Sequence, residues 1–103
     1  MKTSILKNRE KEILRNLLYL LKKDLSPAKI VLFGSRAKKK YPDSSDFDIA
    51  LDAKKINISK LRELKEKIEI ISGLYKVDLV FLDDVDREFR EMILKKGKIL
   101  YER

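Results

Sequence analysis

The sequence of 103 residues contains no cysteine and no histidine, and it has only three glycines and two prolines. The two zeros exclude disulfides, zinc sites built from Cys and His, haem with a His or Cys axial ligand, and Ser-His-Asp or Cys-His nucleophile systems. Chemistry in this protein is therefore left to carboxylates, hydroxyls, amines, backbone amides and a hard metal ion. The scarcity of glycine and proline also makes the turns few and easy to place.

Long apolar runs are absent as well. No segment approaches the roughly 18 consecutive apolar residues of a membrane span, and the N-terminal segment (MKTSILKNREKEILRN) turns charged too early for a signal peptide. We therefore expect a cytoplasmic protein with no membrane partner. The formal charge of +8 favours an anionic partner, namely a nucleotide, a nucleic acid or an acidic protein surface, although a solvated lysine coat explains the charge alone equally well.

The pattern of apolar residues and turn residues predicts helices alternating with strands in one domain, residues 1–103. Strands separated by helices imply a sheet packed against helices, an α/β (α+β) fold in which neighbouring strands joined by crossovers are parallel. The predicted elements are a helix at 7–25, a strand at 29–33, a short helix at 35–40, a loop at 41–45, a strand at 46–51, a helix from Ser59 to Gly73, a strand at 76–82, a helix from Asp83 and Asp84 to Gly97, and a strand at 98–101.

Two carboxylates stand on one face of the second predicted strand. Because side chains alternate along a strand, Asp46 and Asp48 point the same way, while Phe47 and Ile49 point into the core. Like charges at this spacing repel each other, and a divalent cation reverses the sign of that interaction. Oxygen ligands select Mg²⁺ or Mn²⁺ rather than zinc. For this pair alone, an exposed strand edge guarded by aspartates is the commoner explanation.

A glycine-serine turn after the first strand changes that balance. Gly34 ends a hydrophobic strand and allows close backbone approach, and Ser35 follows it with a free hydroxyl. Backbone amides at such a turn can bind phosphate oxygens. Taken together with the paired aspartates on the next strand, the turn favours a site for a metal ion and a phosphate chain.

The runs Gly34-Ser35-Arg36-Ala37 and Ser45-Asp46-Phe47-Asp48, with ten residues between Ser35 and Asp46, resemble the signature of the DNA polymerase beta-like nucleotidyltransferase superfamily. The resemblance is closest to its minimal prokaryotic branch, the MNT proteins, which pair with HEPN-domain toxins. It covers most of the chain and implies the nucleotidyltransferase fold, a small mixed β-sheet of about four strands packed with helices.

The resemblance also implies roles for single residues. Gly34 and Ser35 would hold the nucleotide triphosphate, and Arg36 would lie near the phosphates. Asp46 and Asp48 would bind Mg²⁺, with Mn²⁺ as a substitute. The third metal-binding and catalytic carboxylate of the family would be Asp78, the one acid inside the hydrophobic run at 77–82.

One acid and one lysine leave these assignments open. Asp52 lies on the same strand face as Asp46 and Asp48 and is a rival third ligand, although a position at the strand exit favours a turn. Many relatives have a second arginine and then glycine where this chain has Lys38 and Lys39. Lysine keeps the charge but lacks the planar fork of arginine, so Lys38 is a weaker assignment to the phosphates.

The function implied by the resemblance is transfer of AMP from ATP to a tyrosine hydroxyl of a HEPN-family RNase toxin, with release of pyrophosphate. The short chain agrees with this, since it leaves little protein to enclose both a base and an acceptor without a partner. Two alternatives stay open: a non-catalytic antitoxin that neutralises its toxin by binding alone, and a small basic RNA-binding protein. Direct nucleic-acid binding is disfavoured, because the aromatic residues mostly fall at core-facing positions.

Overall fold

A computed structural model describes residues 2–42 and 45–103 of the chain. Positions 43 and 44 of the predicted loop lie outside the described residues. The helices are α1 (Lys2–Leu25), α2 (Ile58–Ser72) and α3 (Arg87–Lys96), and the strands are β1 (Lys29–Phe33), β2 (Phe47–Asp52), β3 (Val77–Phe81) and β4 (Lys98–Glu102). Two short 3-10 turns, Gly34–Ala37 and Leu82–Asp84, follow β1 and β3.

The four strands form one mixed sheet in the order β3-β2-β1-β4. Strand β2 pairs in parallel with β3, as expected for strands joined through a helix, here α2. Strand β1 pairs antiparallel with both β2 and β4. The β1–β2 connection contains only a 3-10 turn and a loop, and such a return does not make neighbouring strands parallel.

The sheet is covered on both faces, and each face has its own apolar cluster. Helices α1 and α2 pack on one face through residues such as Leu17 and Leu64, which meet Phe47 of β2. Helix α3 packs on the other face, where Ile93 meets Val31 of β1. Alternation along the strands explains the division, because successive side chains point to opposite faces. Asp48 and Asp78 share the parity of the α3 face.

The ends of two helices differ from the sequence prediction. The N-cap of α2 is Asn57, whose side chain accepts a hydrogen bond from the Lys60 amide at 2.9 Å, and not Ser59. The N-cap of α3 is Asp86, which accepts from the Phe89 amide at 2.8 Å. Asp83 and Asp84 lie earlier, in the 3-10 turn. In both cases several capping residues stand close together, so composition alone does not select one.

The first helix also begins earlier than predicted, at Lys2 instead of residue 7.

Across residues 2–42 and 45–103, none of the helices combines the length and the apolar content that crossing a membrane requires.

Candidate functional site

Gly34 brings the backbone of the β1 turn against a carboxyl group of β2. Its φ is +72°, in the region that favours glycine. A Cβ added at this position would overlap the Asp48 carboxyl, so the residue has a second, steric reason to be glycine. Gly34 and Ser35 are both exposed at this turn. The turn therefore offers accessible backbone and a hydroxyl directly beside Asp48.

Asp48 and Asp78 occupy matching positions on neighbouring strands. They are Cα partners in the parallel β2–β3 pairing, and Asp48 is also the partner of Phe33 at the end of β1. When one of the two carboxyls holds a proton, the side chains are close enough to hydrogen-bond, and this contributes to the raised pKa of Asp48. A segment at residue 48 and a segment 30 residues later are thus brought together at one end of the sheet, next to Gly34.

Asp46 and Asp52 fall at opposite ends of β2. Asp46 directly precedes the strand and is held between two anchored neighbours, because the Ser45 carbonyl accepts from Arg36 Nε at 2.8 Å and the Phe47 amide donates to the Lys76 carbonyl at 2.9 Å. Asp52 is the last residue of β2 and is the partner of Lys29, at the start of β1. The structure therefore places Asp46 near Asp48 and Asp78, and it places the rival ligand Asp52 away from them.

The surroundings of Asp48 disfavour its negative charge. Burial raises the pKa of the Asp48 carboxyl, and so do the negative charges of Asp78 and Asp46 and the hydrogen bond to the Asp78 side chain. The Lys76 ammonium acts in the opposite direction and lowers that pKa. A proton or a cation shared between Asp48 and Asp78 relieves the repulsion.

The donor set fits a hard cation by its chemistry. Its side chains are carboxylates, which Mg²⁺ and Mn²⁺ prefer, and the close pair at Asp48 and Asp78 gains from a positive charge. Within the part of the chain that the structure describes, no group of three acidic residues is close enough to form a complete metal site on its own. The arrangement therefore has two carboxylates in contact and a third, Asp46, nearby, and a phosphate chain would supply the remaining oxygens.

Comparison with known proteins shows the family of the chain. Residues 15–103 match the family described as "Polymerase beta, Nucleotidyltransferase". The chain belongs to this nucleotidyltransferase family. Over 90 residues it is 34% identical to a Methanocaldococcus jannaschii protein named "putative protein adenylyltransferase", with 86% of this chain and 91% of that protein covered.

Solved structures show the same nucleotidyltransferase fold. A chain in the crystal structure of a toxin-antitoxin complex with AMP-PNP superposes with a TM-score of 0.73 at 26% identity, covering 86% of this chain and 73% of that chain. A chain in the structure of a tri-AMPylated Shewanella oneidensis HEPN toxin in complex with MNT antitoxin gives a TM-score of 0.69 at 24% identity, with 92% and 73% covered. The family and the fold predicted from the sequence are both confirmed.

Arg36 makes protein contacts that the nucleotidyltransferase resemblance does not predict. Its guanidinium is almost fully buried, pairs with Glu10 Oε2 of α1 at 3.2 Å and donates to the Ser45 carbonyl. It also lies over the rings of Phe47, at 4.1 Å, and Tyr41, at 4.9 Å. With these partners the side chain braces α1 against the segment that leads into β2. These contacts give Arg36 a structural use in holding the site in place, and its proposed role near the phosphates stays a prediction.

Lys38 is exposed and lines a cavity of about 450 Å³ whose other walls include Glu10 and Arg36. Leu32 and Phe47, which also line this cavity, belong to the α1 and α2 face of the sheet, whereas Asp48 has the opposite parity. Lys38 thus lies close to the glycine-serine turn along the chain but beside a different face of the sheet. Its role toward phosphates stays a proposal.

Two charged residues of the site escaped the sequence analysis. Lys76 Nζ lies 3.9 Å from Asp78 Oδ1, and Lys76 stands two residues before Asp78, so strand parity could have indicated it. Glu10 is the buried partner of Arg36, in a helix 26 residues earlier. Among 25 basic and 17 acidic residues, nothing in the sequence distinguishes that one long-range pair.

Proposed function

We propose that this nucleotidyltransferase is an MNT antitoxin that transfers AMP from ATP to a tyrosine hydroxyl of a HEPN-family toxin. In this proposal residues 1–103 act as one domain in the cytoplasm, with Mg²⁺ as the resident metal and Mn²⁺ as a substitute. The relatives support it by their own properties: one is named as a protein adenylyltransferase, one complex contains AMP-PNP, and another contains an AMPylated HEPN toxin.

The observation that carries the proposal is the contact between Asp48 and Asp78 beside Gly34. A structural role alone does not account for it, because two carboxylates in contact destabilise the fold unless a cation or a proton separates them. Nucleotide transfer explains why Asp48, Asp78 and Gly34 lie together, because it requires a metal site beside a phosphate-binding turn. Asp46, Asp48 and Asp78 would hold the metal, and the backbone and hydroxyl at Gly34 and Ser35 would bind the triphosphate.

The reaction forms a bond from the tyrosine oxygen to the α-phosphorus of ATP and breaks the bond from that phosphorus to the pyrophosphate oxygen. Asp46, Asp48 and Asp78 would hold Mg²⁺, which would supply positive charge to the phosphate oxygens. Asp78 is the residue proposed to accept a hydrogen bond from the entering hydroxyl, since it lies on the edge strand β3 and its side chain is 45% exposed. The proton of the hydroxyl would leave by way of this carboxylate.

Transfer of labelled AMP tests the proposal. The chain is incubated with α-labelled ATP, Mg²⁺ and a HEPN protein, and label is followed on the HEPN protein. We expect labelling by wild type and by Asp52→Asn, which changes an acid at the far end of the same strand. Asp48→Asn and Asp78→Asn should reduce labelling by at least a hundredfold, because each removes a group of the metal site.

Toxin neutralisation in cells separates catalysis from binding alone. If the antitoxin acts by modification, the Asp48→Asn variant should fail to protect cells from the toxin, even when the variant and the toxin still co-purify. Protection by Asp48→Asn equal to that of wild type would instead establish the non-catalytic alternative.

A further inference from the structure

The two edges of the sheet differ in how they are protected. Strand β4 begins with Lys98 and ends with Glu102, and charged residues of this kind discourage pairing with another chain. Strand β3 has the sequence Val-Asp-Leu-Val-Phe, and its one charged residue is Asp78. It is the last strand of the sheet in the described residues. Within β3 the other four residues are apolar, Asp78 belongs to the proposed site, and the exposed Lys76 lies just before the strand.

The register shows which backbone groups face outward at this edge. The Phe47 amide donates to the Lys76 carbonyl, and Phe47 is the partner of Val77. In a parallel ladder, a residue bonds to the neighbours on both sides of its partner. The amides and carbonyls of Asp78 and Val80 consequently point toward β2, whereas those of Val77 and Leu79 point away from the sheet.

A groove accompanies the same edge on the side of α2. It consists of two cavities, of about 650 Å³ and about 290 Å³, which share Lys65 and Leu79 as lining residues. The larger cavity is also lined by Leu74, which is fully exposed, and the smaller one by Phe81 at the end of the strand. The groove thus follows β3 over its length, roughly 17 Å at about 3.3 Å per residue.

We propose that the β3 edge and its groove bind an extended segment of the acceptor protein as an added strand, with the acceptor tyrosine beside Asp78. This inference rests on the proposed transfer to a hydroxyl and names how the acceptor is held. An added strand gains main-chain hydrogen bonds at Val77 and Leu79 and places alternate side chains in the groove. The residue beside Asp78 then has its side chain on the face that carries the carboxylates.

The distance across the sheet favours tyrosine over serine or threonine at that position. An added strand lies about 4.8 Å beyond β3 and so about 10 Å from β2, where Asp48 is located. A serine hydroxyl stays close to its own strand and reaches no further than Asp78. A tyrosine hydroxyl at the far end of its ring reaches across β3 toward the space between Asp78 and Asp48. The apolar neighbours of the tyrosine, one on each side, point into the groove.

Binding of a synthetic peptide, acetyl-Thr-Val-Tyr-Val-Thr-amide, tests the inference without nucleotide. We expect the peptide to shift the amide NMR signals of Val77 and Leu79 in the isotopically labelled chain. In an added strand, successive amides point to opposite sides, so either the tyrosine amide or the two valine amides face β3. We therefore compare a peptide N-methylated at the tyrosine with a peptide N-methylated at both valines. One of these two peptides should lose binding and the other should retain it. Retention of binding by both, or loss by both, overturns the proposal, as does a peptide that leaves the two signals unmoved.

Variants of the chain provide the matching test. Val77→Pro removes one outward amide at the start of the strand, where proline is tolerated, and should weaken peptide binding roughly tenfold relative to Val77→Ala. Leu74→Glu places a charge in the groove at a fully exposed residue, so folding is unaffected and binding should weaken. Ile70→Glu is its control, because Ile70 is 83% exposed and does not line the groove. Equal binding by Leu74→Glu and Ile70→Glu contradicts the proposal.

Two further outcomes separate this inference from the alternatives. A dimer in sedimentation that dissociates in Val77→Pro would assign the edge to a second copy of the chain and overturn the proposal. If the peptide binds as expected but ATP with Mg²⁺ does not, the docking edge stands and the proposed transfer fails. If ATP binds and the peptide does not, the transfer stands and the docking edge fails.

Discussion

Asp48 and Asp78 are partners across the parallel β2–β3 pair, the negative charge of Asp78 raises the pKa of Asp48, and the Asp48 carboxyl lies against the backbone of Gly34. This places a like-charged pair beside a turn whose positive φ and close approach to Asp48 favour glycine. In the proposed function, the repulsion between the two carboxylates destabilises the metal-free chain, and binding of a cation between them relieves it. The same contact makes the stability of the chain respond to pH, to substitution and to metal.

The metal-free chain should lose stability as pH rises through the Asp48 titration. Because the pKa of Asp48 is raised in the folded state, the folded state retains a proton that the unfolded state has already released. The loss in free energy of unfolding caused by the Asp48 charge is absent below the ordinary carboxyl pKa. It grows as pH rises to the raised pKa and is constant above it. Asp48→Asn should therefore stabilise the metal-free chain near neutral pH by about 0.5–1 kcal/mol at low salt.

Chemical denaturation from about pH 4 to about pH 8 measures this difference. The gap between Asp48→Asn and wild type should widen with rising pH and narrow when salt is added. A gap that stays constant over the whole range would show that Asp48 is not under strain.

Gly34→Ala should damage both the fold and the nucleotide site. The alanine must adopt a positive φ, which costs about 1–2 kcal/mol, and its Cβ overlaps the Asp48 carboxyl. Gly73→Ala is a matched control, because Gly73 also has a positive φ of 62° but an added Cβ there has only Arg9 Nη2 at 3.7 Å. Calorimetry should show weaker binding of ATP with Mg²⁺ in Gly34→Ala only. Equal ATP affinity in the two folded variants would mean that the Asp48 contact has no part in binding.

Removal of Arg36 should destabilise the fold more than it weakens ATP binding. Arg36→Met leaves the buried carboxylate of Glu10 without its cation, with the Tyr41 hydroxyl still donating to Oε2 at 3.3 Å, and loss of one charge of a buried pair costs about 3–5 kcal/mol. The double variant Glu10→Gln with Arg36→Met removes both charges and should recover most of this loss in thermal unfolding. Below its melting temperature the double variant should bind ATP nearly as wild type does. A tenfold or greater loss of ATP affinity in the folded double variant would instead support a direct role of Arg36 in binding the phosphates.

Lys38 gives a more limited prediction. As an exposed residue, Lys38→Ala should leave the melting temperature unchanged, and any contact with phosphate should weaken ATP binding only a few-fold, since solvent and salt screen the charge. Lys38→Arg should restore that affinity. The measurement is ATP binding at two salt concentrations, and an affinity in Lys38→Ala that equals wild type at low salt would exclude this lysine from the phosphate site.

The sequence was sufficient for the fold class and for the position of the acids. Alternation within β2 separates Asp46 and Asp48 from Phe47 and Ile49, and Phe47 and Ile49 are indeed buried. The parallel pairing of β2 with β3 follows from the helix between them, and it is this pairing that brings Asp78 to Asp48. Local patterns therefore contain most of what positions the site.

Long-range choices between similar residues could not be predicted in the same way. Arg36 could face phosphates or protein, and the outcome depends on Glu10, a residue of a distant helix that the motif does not mention. The N-cap of α2 required a choice between Asn57 and Ser59, which are both good capping residues. In each case the deciding contact is made by three-dimensional packing and leaves no periodic signal in the sequence.

Calorimetric titration of ATP in the presence of Mg²⁺ tests most directly whether the acids beside Gly34 form a metal and nucleotide site. We predict binding by wild type and by Asp52→Asn, and loss of most of that binding in Asp48→Asn, although the Asp48→Asn variant is folded and no less stable than wild type. Binding of ATP with Mg²⁺ that is equally strong in wild type and Asp48→Asn would contradict this claim.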